Sequence, residues 1–430
     1  MLEQFFQLRE HGTTVRTEIL AGITTFLTMS YIIFVNPEIL SSTGMDKSAV
    51  FVATCLAAAL GTLIMAFLAN WPIGMAPGMG LNAFFAFTVV GALGYTWQQA
   101  LGAVFISGVI FLILTLTGVR SWLIAGIPHS LRSAIAAGIG LFLAIIALSG
   151  SGIVVANPAT KVALGDLTSA PALFAILGFF IIAALDALRI KGAILIGILV
   201  VTVASMLTGN SQFYGVFSAP PSLAPTFLQL DIMGALHTGF IHVILVLVLV
   251  EVFDATGTMI GVAKRANLIQ DGKPNRLGRA LMADSSAIVA GSFLGTSSTT
   301  AYVESASGVQ AGGRTGLTAL TVAVLFLLSL FLAPLAGSVP AYATAPALLY
   351  VAGLMLREIT EIDWGEITEA TPAALTAIVM PFTYSIANGL AFGFISYVVL
   401  KAITGKFREI HMATLLVAIL FVIKYAFFPE

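Results

Sequence analysis

Four carboxylates lie in stretches otherwise suited to lipid. Glu251 and Asp254 sit inside the apolar run LVLVEVFDATGTMIGVAK, residues 247–264. Glu304 sits in GTSSTTAYVESASGVQAGGRTG, residues 295–316, and Asp284 in ALMADSSAIVAG. Ionisable groups at membrane depth are costly and mark substrate, ion or proton pathways. Glu251, Asp254 and Thr258 are spaced i, i+3, i+7 and so share one helix face. Two carboxylates this close repel, and burial disfavours both charges, which makes a purely structural cluster an expensive use of them. Glu304 opens ESASGV, which reads as the start of a short helix. There a carboxylate gains from the helix dipole, and free backbone N–H groups can hold substrate. A capping role is the plain alternative, but the mid-membrane position favours substrate contact. Asp284 reads as a scaffold group hydrogen-bonded to a neighbouring helix.

Further polar groups belong with these. GMGLNAFF, residues 78–85, brings Gly80 and Asn82 to the same cavity, and an Asn amide offers a donor and an acceptor to a heterocycle edge. Gly257 and Gly261 form a small-xxx-small pair that lets another helix approach. Tyr302 and the phenylalanines at 84–87 can stack on a flat ligand, although aromatic residues at helical spacing more often face lipid or core. His129, His237 and His242 fall near span ends and read as interfacial residues, not metal ligands. No phosphate-binding loop of Walker type appears, and no HExxH or Cys/His cluster. No cofactor or metal is expected, and neither is an enzyme.

The elements that position these groups must be membrane helices. Of 430 residues, 59% are hydrophobic and 9% charged, whereas a soluble domain carries about 25% charged residues. Too little charge remains to cover a soluble surface. The apolar runs are continuous, which excludes a β-barrel of alternating strands. A net charge of −1 without a basic stripe excludes nucleic acid as a partner. The single cysteine, Cys55, cannot form an internal disulfide. The first twenty residues hold no short apolar core followed by a cleavage site, so a cleaved signal peptide is not expected.

Each crossing needs about 20 apolar residues. Runs bounded by Gly, Pro or charge predict spans at 17–35, 48–69, 73–90, 97–119, 133–149, 171–187, 191–208, 237–262, 278–294, 297–311, 316–334, 341–356, 371–384 and 386–403. The third and tenth are interrupted by Pro, Gly, Ser and Thr, with short extended pieces expected. Such backbone survives in a bilayer only where it lines a protein-enclosed cavity. Arg9 and Arg16 precede the first span and favour a cytoplasmic N-terminus. Arg120, Arg132, Arg189, Lys191, Lys264, Arg265, Arg314, Arg357 and Lys401 then follow even-numbered spans, as fourteen crossings of an inner or plasma membrane require. Lys47, Lys161 and Lys424 stand apart. Residues 170–209 resemble 371–405, and the two broken spans correspond if seven spans repeat. Seven being odd, the second copy is inverted, and paired interrupted segments of this kind point to a midplane binding site. The acidic stretch 357–370 reads as a solvated face. The apolar run 411–428 lies beyond the fourteen and reads as interfacial.

Together, EILAGITTFLTMSYIIFVNP, GMGLNAFFAF, EVFDATGTMIGVAKRANL and LGTSSTTAYVESASGVQAGGRTGLTAL resemble the AzgA-like branch of the nucleobase–cation symporter (nucleobase-ascorbate transporter) family, over essentially the whole chain. The resemblance implies an all-α, uracil-permease-like fold of fourteen spans in two inverted repeats. It implies a core domain from 1–119 and 235–336, a gate domain from 120–234 and 337–410, and an extra apolar segment at 411–430. It also implies uptake of adenine, guanine or hypoxanthine in symport with protons, by elevator-like or rocking alternating access, in a homodimer. Carried over by motif, the substrate residues are Glu304, Asp254, Glu251, Tyr302, Gly80 and Asn82, with Thr25 and Phe26 of the first span beside them. Glu251, Asp254 and Glu304 are the candidates for the coupling proton. Thr258 stands where uracil permeases carry a histidine, so coupling through that position does not carry over. An anion transporter of the same fold, or a channel for small polar solutes, is the alternative.

Overall fold

The computed structural model describes residues 2–236, 241–270, 273–274 and 276–427. His237 lies outside them. Among the described residues, eight helices are long and apolar enough to cross a membrane, and shorter apolar helices include Met79–Ala92, Ala193–Leu207, Ile367–Phe382 and Met412–Ala426. The chain is an integral, multi-pass, mainly helical membrane protein.

The first apolar run does not form one helix. It divides into α1 (Val15–Met29) and α2 (Ile32–Ser41), bent at Ser30–Tyr31. Thr28 Oγ1 bonds back to the carbonyls of Thr25 and Thr24, a habit that bends helices. Helix α3 (Lys47–Ile64) is capped by the Asp46 carboxylate, which accepts from Ala49 N–H, and it ends in a widened π turn, Met65–Ala69. The third span is broken as its Pro and Gly residues require. Strand β1 (Met75–Pro77) leads into α4 (Met79–Ala83), which continues as a π-helix over Phe84–Ala92.

Helices α5 (Trp97–Leu116), α6 (Val119–Gly126) and α7 (His129–Gly150) follow. A hairpin of β2 (Val154–Asn157) and β3 (Lys161–Leu164) then precedes α8 (Ala170–Ala187) and α9 (Ala193–Leu207). The second half begins with α10 (Ile241–Arg265) and α11 (Leu277–Leu294). The tenth predicted span is again broken, into β4 (Thr299–Ala301) and a short α12 (Ser305–Gln310). After it come α13 (Gly316–Ser329), α14 (Ala341–Met355), α15 (Ile367–Phe382), α16 (Ile386–Ile403) and α17 (Met412–Phe427).

The two interrupted segments meet. Strands β1 and β4 pair antiparallel, with Met75 opposite Ala301, Ala76 opposite Thr300 and Pro77 opposite Thr299. Each satisfies backbone groups that lipid would leave bare. Around the pair, α3 packs on α11 and α13, α1 on α12 and α13, and α5 on α10 and α11. Elsewhere α7 packs on α14 and α15, α15 on α16, and α8 on α9 and α14. Helix α17 rests on α16 and α6, where Thr414 Oγ1 donates to the Gly126 carbonyl at 2.7 Å and Tyr425 Oη to Asn388 Oδ1 at 2.7 Å.

Several local expectations need correction. Gly257 and Gly261 are exposed, and a Cβ at either would meet nothing within 4 Å among the described residues. They provide no helix contact there. Arg120 is no loop residue, since its side chain is fully buried. The acidic stretch before α15 is only partly a solvated face. Glu366 pairs with Lys406 at 2.5 Å, while Glu369, a turn into α15, pairs with the buried Lys401 at 2.9 Å.

Candidate functional site

The site is built around the β1–β4 pair. Glu304 lies between β4 and α12, half-buried, at the position immediately before the helix. Tyr31 Oη donates to Glu304 Oε1 at 2.6 Å. Asp254 lies midway along α10, half-buried, with no hydrogen bond or ion pair to another described residue. Its helix packs against both β4 and α12, and the Asp254 and Glu304 carboxylates are within electrostatic reach of each other. Both therefore border one region, and no cation is paired with either among the described residues.

Glu251 is different. It is fully buried one turn earlier on α10, where Ser298 Oγ and Ser107 Oγ both donate to Oε1. Its Oε2 is buried without a partner among the described residues. Glu251 thus ties α10 to α5 and to the residue preceding β4. Asp284, on α11, is also fully buried and holds two elements at once. Thr300 Oγ1 of β4 donates to Oδ1 at 3.1 Å, and Arg120 Nη2 meets Oδ2 at 3.2 Å. Arg120 also donates to Thr256 Oγ1 on α10 at 3.1 Å and to the Leu281 carbonyl at 3.2 Å, and its guanidinium lies 3.8 Å from the Phe111 ring centroid. A buried charge pair of this kind needs such added hydrogen bonds to offset desolvation.

The other expected residues are placed as follows. Asn82 is fully buried at the end of α4, accepting from Ser297 Oγ on Oδ1, with Nδ2 lacking a partner among the described residues. That orphaned donor is available chemistry. Gly80 faces α7 so closely that a Cβ would lie 2.6 Å from Ile139 Cγ2. Tyr302 is buried, with its Oη donating to the Pro77 carbonyl at 2.5 Å and its N–H to the Gly74 carbonyl at 3.0 Å. Its phenol therefore clamps the broken segments together. Thr25 is buried against Gly308 of α12, and Phe26 meets Phe326 edge-on at 5.2 Å between centroids. Phe84 and Phe85 are fully buried in packing, and Phe87 stands edge-on to Tyr384 at 6.4 Å. His129 is exposed at the start of α7, and His242 is half-buried at the start of α10.

Residues missed from sequence complete the picture. Tyr31 and Thr28 stand in the first predicted span, where the hydroxyl residues Thr24, Thr25, Thr28 and Ser30 are the one local mark of the bend that turns them toward Glu304. Glu18 is fully buried on α1, accepting from Arg314 N–H, Thr315 N–H and Thr318 N–H at 2.9, 3.2 and 3.2 Å, so it caps α13 from another helix. Asn70 assists by accepting from Gly316 N–H at 2.8 Å.

Membrane helices packed around two antiparallel broken segments make a fold with counterparts among solved structures. The transmembrane domain of a cyanobacterium bicarbonate transporter, BicA, superposes with a TM-score of 0.65 at 16% identity, covering 88% of this chain and 97% of that one. SLC26A9 gives the same TM-score at 12% identity over 91% of this chain and 66% of that one. At such identities the likeness shows the fold alone.

The chain belongs to the Permease family, whose sequence profile matches residues 16–392. Among its relatives, adenine permease AdeP of Escherichia coli K12 is 52% identical over 99% of this chain and 96% of its own length. Guanine/hypoxanthine permease PbuG of Bacillus subtilis 168 is 45% identical over 99% of this chain and 100% of its own. The AzgA-like purine-permease resemblance read from the motifs is in accord with these relatives.

Proposed function

We propose that this protein imports purine nucleobases (adenine, guanine or hypoxanthine) together with protons by alternating access. The observation that carries the reading is the placement of Glu304 and Asp254. Both are half-buried carboxylates beside the β1–β4 pair, without a cation of their own among the described residues. Purine bases are flat, nearly neutral and rich in N–H donors along one edge. Carboxylates accept such donors, and Asn82 Nδ2 and the N–H groups opening α4 can serve ring nitrogens and carbonyl oxygens. Relatives named as adenine and guanine/hypoxanthine permeases, at 45–52% identity over nearly full length, support the same substrate class.

In this reading Glu304 and Asp254 grip the base, and an acid of the Glu251, Asp254 and Glu304 set takes up a proton from outside. Neutralising a buried carboxylate lowers the cost of closing the site away from water. Binding then biases movement of the core (1–119 and 235–336) against the gate (120–234 and 337–410). The close approach of Gly80 to Ile139 lies on that boundary. The fourteen-span inverted repeat with a cytoplasmic N-terminus, and a homodimer joined through the gate, belong to the same proposal. An anion carrier is disfavoured, because a carboxylate at the mouth of α12 repels anions.

The deciding experiment is uptake of labelled adenine, guanine, hypoxanthine and uracil into cells lacking their own permeases, with and without a protonophore. Purine uptake abolished by the protonophore is expected. E304Q and D254N should each cripple uptake while the protein still reaches the membrane, and normal uptake by both would remove the assignment. Uptake without saturation or counterflow would instead favour a channel.

A further inference from the structure

The bend between α1 and α2 turns the Tyr31 phenol inward, leaving it 1% exposed. Its hydrogen-bond partner among the described residues is Glu304 Oε1, at 2.6 Å. Less than one turn earlier, Thr28 Oγ1 shares a hydrogen bond with Ser307 Oγ at 2.9 Å, and Ser307 Oγ donates to the Glu304 carbonyl at 2.7 Å. The first span therefore holds both the side chain and the backbone of Glu304. The second carboxylate oxygen, Oε2, has no side-chain partner among the described residues, and Glu304 is only half-buried.

We propose that Tyr31 is a positioning residue for the substrate: by donating to Oε1 it makes Oε2 the atom that meets both the purine and the coupling proton. This rests on the purine–proton reading above. The argument is a count of donors and acceptors. A phenol this buried needs an acceptor for its hydrogen, and Oε1 serves only while it carries no proton itself. A proton placed on Oε1 would force the phenol to become the acceptor and leave the phenolic hydrogen orphaned. A proton arriving from the outer solution therefore settles on Oε2. Ionised, Oε2 accepts a ring N–H. Protonated, it donates to a ring nitrogen, and the same proton leaves from that atom on the inner side. Tyr31 thus fixes the orientation of the carboxylate without touching the base.

The test measures KM and maximal rate for labelled adenine and hypoxanthine in cells lacking their own permeases, normalised to transporter in the membrane. Y31F should raise KM about tenfold, the scale of one charge-assisted hydrogen bond, with the maximal rate held within about twofold. T414V, which cuts the buried tie from α17 to the Gly126 carbonyl and leaves the contacts of Glu304 intact, should leave KM within about twofold of wild type on the same scale. An equal rise in T414V would mean a general packing effect and would overturn the proposal. An unchanged KM in Y31F, with uptake crippled in E304Q, would overturn it and leave the purine reading standing. Normal uptake by E304Q and D254N would instead remove that reading. Should Y31F fail to reach the membrane, Y31H keeps a ring N–H donor and serves as the second variant. A KM within about threefold of wild type supports the proposal, and a rise of about tenfold or more overturns it.

Discussion

Removing the Arg120 guanidinium should harm the fold more than removing Arg120 and Asp284 together. The two groups face each other at 3.2 Å, with side chains 1% and 0% exposed. At an effective dielectric of about 20, unit charges at that separation attract by about 5 kcal/mol. Desolvation costs several kcal/mol per ion, so the intact pair is close to neutral in net stability. Breaking it from one side is not neutral, because Asp284 keeps its burial and its bond from Thr300 and loses its counter-ion. The expected loss is about 3–5 kcal/mol. R120M and D284L should therefore each lower the thermal midpoint of the detergent-solubilised protein by several degrees, followed by size-exclusion recovery after heating. The double variant R120M/D284L should recover most of that loss, since two apolar side chains of similar bulk replace two buried ions. Additive losses in the double variant would refute this reasoning. So would single variants that melt with wild type, because the pair would then have water access that its burial denies.

Three further outcomes follow from the geometry. G308V should abolish uptake, since even a Cβ at Gly308 would lie 2.6 Å from the Ala21 carbonyl and collide with Thr25, pushing α12 away from α1; uptake at wild-type KM would oppose it. E18A should lower the thermal midpoint but leave purine KM unchanged, because it strips a cap from α13 worth about 0.5–2 kcal/mol and touches no substrate group. Lys406 beside Glu366, with the N–H and hydroxyl of Thr368, holds that carboxyl down to about 2, against an ordinary value of 4.5. A depressed carboxyl contributes stability above its ordinary value and loses it as pH falls from 4.5 toward 2, so K406M should lower the detergent-stability curve above about pH 5 and make its acid limb shallower, with the two curves converging near pH 2.

How much of this was legible in sequence depends on range. Broken spans announce themselves locally: Pro77, Gly78 and Gly80 in one segment and the Ser/Thr run 296–300 in the other forbid continuous helix, and both gave strand and short helix. The four intramembrane acids were equally visible, because a charge in an apolar run stands out without any knowledge of its partners. Partnership was not visible. Arg120 follows an apolar helix, as an inner-loop arginine would, and only tertiary packing buries it under Phe111 and beside Asp284. Glu18 sits among Arg16 and other polar residues and looks like a membrane-surface group, yet it caps a helix 296–300 positions away in the chain. Tyr302 reads as a stacking aromatic until its hydroxyl is found on Pro77. Gly257 and Gly261 show the converse, a local packing pattern with no neighbour supplied among the described residues.

The partners also divide the acids by task. Asp284 has a guanidinium and a threonine, and Glu251 has two serines on Oε1, so both oxygens of Asp284 and one of Glu251 already hold β4 to α11, α10 and α5. Mobile substrate cannot displace such bonds without loosening the strand that shapes the site. Asp254 has no hydrogen bond among the described residues, and Glu304 has a phenol on a single oxygen. Unsatisfied carboxylates in a low-dielectric site are stable only when something brings them protons or N–H donors. In the proposed reading, a nucleobase with a proton brings both. The division predicts different failures: D284N should lower stability and uptake together, whereas D254N should lower uptake at unchanged thermal midpoint. Reversal of that pattern would mean the scaffold and the binding face have been assigned to the wrong pair of acids.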